Sequence, residues 1–211
     1  MKPIIFYIAF LTLNSLLFGQ IQPTKGNISK SQFELIHKKT KTYPEDTQLS
    51  IALIKNENIV FLGIKSVNDS IAQIQNHHKI FEIGSISKVF TSTLLSHFVV
   101  NEQLELNTPI ENLLNFDMST NQAITLKQLA NHTSGLPSLP SNLNLFLADP
   151  NNPYKNYSEQ DLQVYLKEKI ELKQAPGEKY EYSNLGAGLL AYLLGNLSNT
   201  SYENMLQDII F

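Results

Sequence analysis

Apolar residues recur along this chain in two rhythms, one suited to strands and one to helices. Two short β-rich runs, Gln48–Lys55 and 59–65, flank the polar trio Asn56-Glu57-Asn58 and predict an antiparallel hairpin. Upstream, 29–42 places Phe33 and Ile36, with Leu35 beside them, on one face of a modest amphipathic helix. A short, strand-like apolar approach at 80–83 ends at Gly84. The run SISKVFTSTLLSHFVV at 85–100 has apolar residues at three- and four-residue steps and few charges, which predicts a helix buried on most sides.

From 102 to 175 the chain reads as helical and loop-rich, with short helices over 109–114, 125–131 and 158–172. Thr125 suits the N-cap of the second, and Ser158 with Asp161 resembles a capping-box start for the third. The Pro- and Asn-rich stretch 137–153 is expected to be a long surface loop. Residues 183–197, SNLGAGLLAYLLGNL, form another apolar helix in which Gly186 and Gly188 allow close backbone approach. No internal repeat is visible. The coarse expectation is one domain with a short sheet and many helices.

The N-terminus has a different look. Met1-Lys2 is a short positive start, and 4–18 is apolar except for Thr12, Asn14 and Ser15. This run is too short to span a hydrocarbon core of about 30 Å comfortably and suits the core of a signal peptide, with an uncleaved anchor or an ordinary buried helix as the alternatives. Cleavage is expected near Gly19, which leaves a mature chain from about residue 20 in the periplasm or outside the cell, with no stable membrane anchor.

Composition narrows the chemistry. With 42% apolar and 17% charged residues the chain is globular in character. The formal charge is −3, and all 16 basic side chains are Lys. Without Arg, the preferred fork for phosphate and guanine, nucleic acid is not an expected partner. There is no Cys, which removes disulfides, thiolate metal sites and a Cys nucleophile. The five His show no H-E-x-x-H or similar spacing, so no metal and no cofactor are expected.

Ser85-Ile86-Ser87-Lys88 is the one S-x-x-K in the chain, a match expected about once by chance at these Ser and Lys frequencies. By itself it reads first as an N-cap serine followed by a surface lysine. Its setting adds a second reading: residues three apart share a helix face, so the Lys88 amine comes within reach of the Ser85 hydroxyl. A desolvated, neutral Lys then accepts the Ser proton, and the free N–H groups of a first helical turn favour an oxyanion. Tyr182-Ser183-Asn184 offers a phenol for proton relay and an amide for substrate contact. Tyr154-Lys155-Asn156 and Tyr202-Glu203-Asn204 share its spacing, but the copy at 182 alone follows Pro176-Gly177-Glu178 and opens an apolar helix. Turn and cap chemistry remains the alternative for all three, and Tyr154 and Tyr202 are expected outside the pocket. His132, with Gly135 and Pro137 close behind, reads as a helix end and turn. G-x-S-x-G does not occur.

Three segments in order, FEIGSISKVFTSTLL around Ser85, ITLKQLANHTSGLP at 124–137 and APGEKYEYSNLGAGLLAYLL at 175–194, resemble the serine β-lactamase and penicillin-binding protein superfamily. The class C β-lactamase-like branch is the most similar, and it also holds D-alanyl-D-alanine carboxypeptidases, D-aminopeptidases and esterases. The resemblance runs from about residue 30 to the end. It implies an α/β (α+β) fold of that superfamily, of which this chain carries the N-terminal portion: an antiparallel hairpin plus a helix-rich region. It implies Ser85 as the acylated nucleophile, Lys88 as its proton partner, Tyr182 as general base or relay, and Asn184 as a contact to the substrate amide.

The family pattern also has a third motif, Lys-Thr-Gly or His-x-Gly, on a later strand that supplies the second oxyanion N–H. Neither tripeptide occurs between Asn184 and Phe211. The chain is accordingly expected to be truncated, leaving at least one hairpin edge unpaired. Two readings follow. One is an exported serine hydrolase that forms an acyl-enzyme on an amide or ester, with a β-lactam, D-Ala peptide, other peptidoglycan-like molecule or carboxylic ester as substrate. The other is a non-catalytic member of the family that lacks the third motif.

Overall fold

The β-rich run at 48–67 folds back on itself because its apolar residues need a shared face and its central residues are polar. The computed structural model describes residues 24–25, 29–55 and 58–211. The expected signal segment lies outside the described residues, as do Asn56 and Glu57 of the expected turn. The described chain forms two compact units, one ending at Phe81 and the other spanning Glu82–Phe211.

In the first unit, strands β1 (Thr24–Lys25), β2 (Gln48–Lys55), β3 (Asn58–Val67) and β4 (Ser70–Ile74) form a small sheet, with helix α1 (Lys30–Thr40) between β1 and β2 in sequence. The hairpin is in place: β2 and β3 pair antiparallel from Gln48 opposite Lys65 to Lys55 opposite Asn58. Along its other edge β3 pairs with β1 in parallel and with β4 antiparallel. Strand β4 was not expected. Its sequence, SIAQI, is too short and polar to stand out, but Asn68 and Asp69 before it both have positive φ, 48° and 57°, the backbone of a tight hairpin turn. Among the described residues β2 pairs with β3 alone, so its outer edge is open. Gly63 is required here, since a Cβ would collide with the Asn76 side chain and the Ile74 carbonyl. Helix α1 starts at a Ser29 capping box closed by Gln32, and its apolar face stays largely open: Phe33 and Leu35 are exposed. The run 80–83 is not a strand, since among the described residues no strand pairs with it; Ile80 is 99% exposed.

The second unit is helical. Helices α2 (Ser87–Val100), α3 (Leu126–Ala130), α4 (Glu159–Glu168), α5 (Asn184–Ser198) and α6 (Tyr202–Ile209) surround one core. Leu94, Leu95 and Phe98 of α2 meet Leu126 and Leu129 of α3, Leu166 of α4, Leu189, Leu190, Leu193 and Leu194 of α5, and Met205 of α6. Each such side chain contributes about 1.5–3 kcal/mol when fully buried. Thr125 and Ser158 cap α3 and α4 in capping boxes with Gln128 and Asp161, as their spacing predicts. Helix α4 is shorter than the 158–172 pattern, ending at Glu168.

Two expectations need correction. Helix α2 is buried on one face only: Thr91, Leu94, Leu95 and Phe98 point inward, while Val89 is 63% exposed, because α3, α5 and α6 all pack on the same side. The stretch 137–153 is not simply surface loop. Pro140 is buried, and Asn142 donates to the Asp161 carbonyl (2.8 Å) while its Oδ1 accepts from the Tyr157 hydroxyl (2.9 Å), which ties the loop to α4.

Candidate active site

Ser85 sits in a single 3₁₀ turn, Gly84–Ile86, that runs directly into α2. Gly84 takes φ +53°, a left-handed conformation that turns the chain sharply into the helix. The Ser87 hydroxyl donates to the Gly84 carbonyl (2.8 Å), so the second serine of the motif is engaged in closing the turn. Ser85 is left exposed. One helical turn on, Lys88 Nζ donates to Ser85 Oγ at 3.0 Å.

Tyr182 comes from 97 residues away and lies 2.6 Å from Ser85, hydroxyl to hydroxyl. What carries it there is the pairing of 132–138 with 173–185. Lys173 N–H donates to Gly135 O (2.9 Å), Gly177 N–H to Thr133 O (2.7 Å), Glu181 N–H to His132 O (2.8 Å) and Leu185 N–H to Ser138 O (3.0 Å). Gly135, at φ +74°, lets the Gln174 carbonyl approach where a Cβ would stand. Ser183 caps α5 by accepting from Gly186 N–H (2.8 Å) and donates to the Pro137 carbonyl (2.7 Å). The Lys173–Glu181 ion pair, 2.9 Å, ties the outer side of the same segment.

The sequence-predicted residues thus converge. Lys88 Nζ stands 5.0 Å from the Tyr182 ring centroid as well as touching Ser85. The Lys88 ammonium, and next the Ser85 hydroxyl, hold the Tyr182 phenol below its ordinary value of 10.0. Because a Lys ammonium only donates, Ser85 Oγ accepts from it, while between the Ser85 and Tyr182 hydroxyls either oxygen can be the donor. Asn184, the first residue of α5, does not join this three-way contact. It lines an adjoining cavity of about 570 Å³ together with Lys88.

The other two tyrosines, expected outside the pocket at Ser85, stand at this adjoining cavity, whose lining does not include Ser85 or Tyr182. Tyr154 and Tyr202 line it beside Lys88 and Asn184, and the Tyr202 hydroxyl bonds Thr91 Oγ1 at 2.8 Å. Tyr202 opens α6, which packs along α2, and this packing carries the phenol to the wall. Gly188 faces the same space: nothing lies within 4 Å of where its Cβ would be, so the close approach expected there does not occur.

The backbone of His132 makes the turn that its sequence context predicts, at φ 61° just past the end of α3. Its side chain has a further place. Nδ1 accepts from Ser183 N–H at 3.2 Å, and the ring lies 4.6 Å from that of Tyr182. Burial first, and the Lys88 charge second, push the imidazole below its ordinary value of 6.5. A helix end followed by Gly and Pro gives no hint of a side-chain partner so far along the chain. Among the described residues, no group of three or more His, Asp or Glu is arranged to hold a metal ion.

The chain is similar to known proteins over most of its length. Residues 48–211 match the family model Beta-lactamase. Protein flp of Staphylococcus aureus (strain MW2) is 30% identical over 132 residues, which is 61% of this chain and 25% of that protein. A β-lactamase of Pseudomonas fluorescens is 29% identical over 168 residues, 77% of this chain and 42% of that protein. The crystal structure of a β-lactamase/D-alanine carboxypeptidase from Yersinia pestis superposes with a TM-score of 0.67 at 22% identity, covering 86% of this chain and 53% of that one. The chain therefore spans from a quarter to about half of the length of these proteins. With the family model covering most of its residues, and the α/β arrangement shared with the solved structures, this chain belongs to the Beta-lactamase family.

Proposed function

We propose that this chain carries the nucleophile half of an exported serine hydrolase that acts through an acyl-enzyme on an amide or ester. The observation that carries the reading is the three-way contact at Ser85 Oγ, 2.6 Å from the Tyr182 hydroxyl and 3.0 Å from Lys88 Nζ. Ser85 Oγ attacks the substrate carbonyl carbon, and its proton passes to the Tyr182 oxygen, which the Lys88 charge keeps receptive. The same proton then goes to the departing amine or alcohol as that bond breaks, leaving the acyl group on Ser85. Water, deprotonated in the reverse sense, hydrolyses the ester and restores Ser85. Backbone N–H groups of the turn opening α2 favour the oxyanion. Asn184, which lines the adjoining cavity with Lys88, is suited to contact a substrate amide.

The family resemblance and the relatives named above support β-lactams and D-alanyl peptides as the substrate class, with carboxylic esters as the other member of the set. A small-molecule or peptidoglycan-like substrate outside the cytoplasm fits both. Treating the full chain with a fluorescent penicillin or a fluorophosphonate and mapping the adduct by mass spectrometry tests the reading. The adduct is expected on Ser85, and label on Ser87 or on no serine would overturn it. The labelling rate is expected to rise with pH through a midpoint below 10.0, because the phenolate of Tyr182 is the acceptor and its folded value lies beneath that figure.

Export rests on the 4–18 apolar run. N-terminal sequencing of secreted protein is expected to start near residue 20; material that retains Met1 would contradict cleavage.

A further inference from the structure

His132 holds both neighbours of Tyr182. Its carbonyl accepts the N–H of Glu181 (2.8 Å), and its Nδ1 accepts the N–H of Ser183 (3.2 Å). Its ring lies against the Tyr182 ring at 4.6 Å and a 39° tilt, and Tyr180 meets its other side edge-on at 5.8 Å. A single residue therefore fixes the backbone on each side of the phenol and also the phenol's ring.

We propose that His132 is a positioning residue for Tyr182, working only as the neutral imidazole with Nδ1 as acceptor. This rests on the acyl-enzyme reading of Ser85, Lys88 and Tyr182 given above. Protonation would put an N–H on Nδ1, facing the Ser183 N–H, so an acceptor would become a second donor and the bond would be lost. The groups around the ring favour the neutral state. Lys88 reaches toward it from α2, Tyr180 and Tyr182 flank it, and the nearby Glu181 carboxylate is engaged by Lys173 at 2.9 Å. The left-handed backbone at φ 61° aims the side chain at Ser183, which dictates how it must be replaced in a test.

Asn and Gly both tolerate that backbone. His132→Asn keeps an acceptor oxygen near the position of Nδ1 but cannot be protonated, whereas His132→Gly loses acceptor and ring together. Two readouts are taken on the full chain. The first is the phenolate absorbance of Tyr182, isolated by subtracting a Tyr182→Phe titration in the same background. Its midpoint is expected to rise in His132→Gly, as the phenol loses its hold beside Lys88 and Ser85, and to stay low in His132→Asn. The second is the rate of probe labelling at Ser85. His132→Gly is expected to lose roughly 10²-fold, the size of effect produced by a 1 Å misplacement, with rescue by His132→Asn to within about threefold of the parent. Below pH 6.5 the parent is expected to lose labelling more steeply than the Tyr182 titration alone requires, a second loss that His132→Asn lacks.

A His132→Gly protein with an unchanged Tyr182 midpoint and unchanged labelling would overturn the proposal. If His132→Gly fails to fold, judged by circular dichroism, the second, steeper loss decides: its persistence in His132→Asn overturns the proposal. If the parent shows no label on Ser85 while the Tyr182 midpoint responds as expected, the hydrolase reading falls and the positioning role stands. Label on Ser85 with no response of Tyr182 to either substitution has the opposite meaning.

Discussion

Ser85→Ala is expected to abolish covalent labelling by an acylating probe, while Lys88→Ala and Tyr182→Phe each slow it by roughly 10²–10⁴-fold. The three substitutions differ in what they remove. Ser85→Ala removes the oxygen that forms the bond, so nothing remains to be acylated; Ser87 cannot stand in, since its hydroxyl is spent on the Gly84 carbonyl. Tyr182→Phe keeps the ring that packs on His132 and removes only the oxygen lying 2.6 Å from Ser85. Lys88→Ala removes both the donor to Ser85 and the charge that depresses the Tyr182 phenol, so its labelling is expected to shift to higher pH as well as to slow. The two slower variants should show little added effect when combined, because both act on one proton transfer. The measurement is the pseudo-first-order labelling rate by in-gel fluorescence. Parent-like labelling of Tyr182→Phe would remove the phenol from the mechanism.

Leu189→Ala is expected to cost about 2–5 kcal/mol of stability, whereas Gly188→Ala, its neighbour, is expected to gain about 0.5–1 kcal/mol. Leu189 is fully buried in the α5 seam of the core, and shortening it leaves a void that the surrounding leucines close only in part. Gly188 faces the cavity, where a methyl group has nothing within 4 Å, and a helix interior prefers Ala to Gly. In a unit of this size each kcal/mol moves the midpoint by about 2–8 °C, so the opposed shifts are readily resolved by thermal denaturation. A destabilised Gly188→Ala protein would mean that the space beside α5 is filled.

The local elements of this protein were legible in its sequence wherever a short-range rule decides them. Side chains that reach only three residues set the caps at Thr125 and Ser158, and both are found. Two β-rich runs around a polar trio point to the β2–β3 hairpin, and a mostly apolar run points to α5. The pairing of Ser85 with Lys88 follows from their three-residue spacing alone, since one helical turn brings them together.

Everything that depends on which surfaces meet was decided by the tertiary structure. The periodicity of 85–100 could not tell a helix packed all round from one packed on a single face, because both place apolar residues at three- and four-residue steps. Strand β4 exists because β3 had a free edge and a left-handed turn to reach it, not because SIAQI is a strong strand former. Of the three Tyr-x-Asn spacings, all alike along the chain, only the one at 182 is laid against 132–138 by backbone hydrogen bonds and so reaches Ser85. Tyr202 was delivered to the cavity wall by the packing of α6 on α2, and His132 acquired its hold on Tyr182 from a left-handed turn that aims its ring at a segment some fifty residues on. Sequence spacing sets contacts within a turn of helix or across a tight hairpin; contacts between distant segments form only when burial of the core brings their backbones side by side.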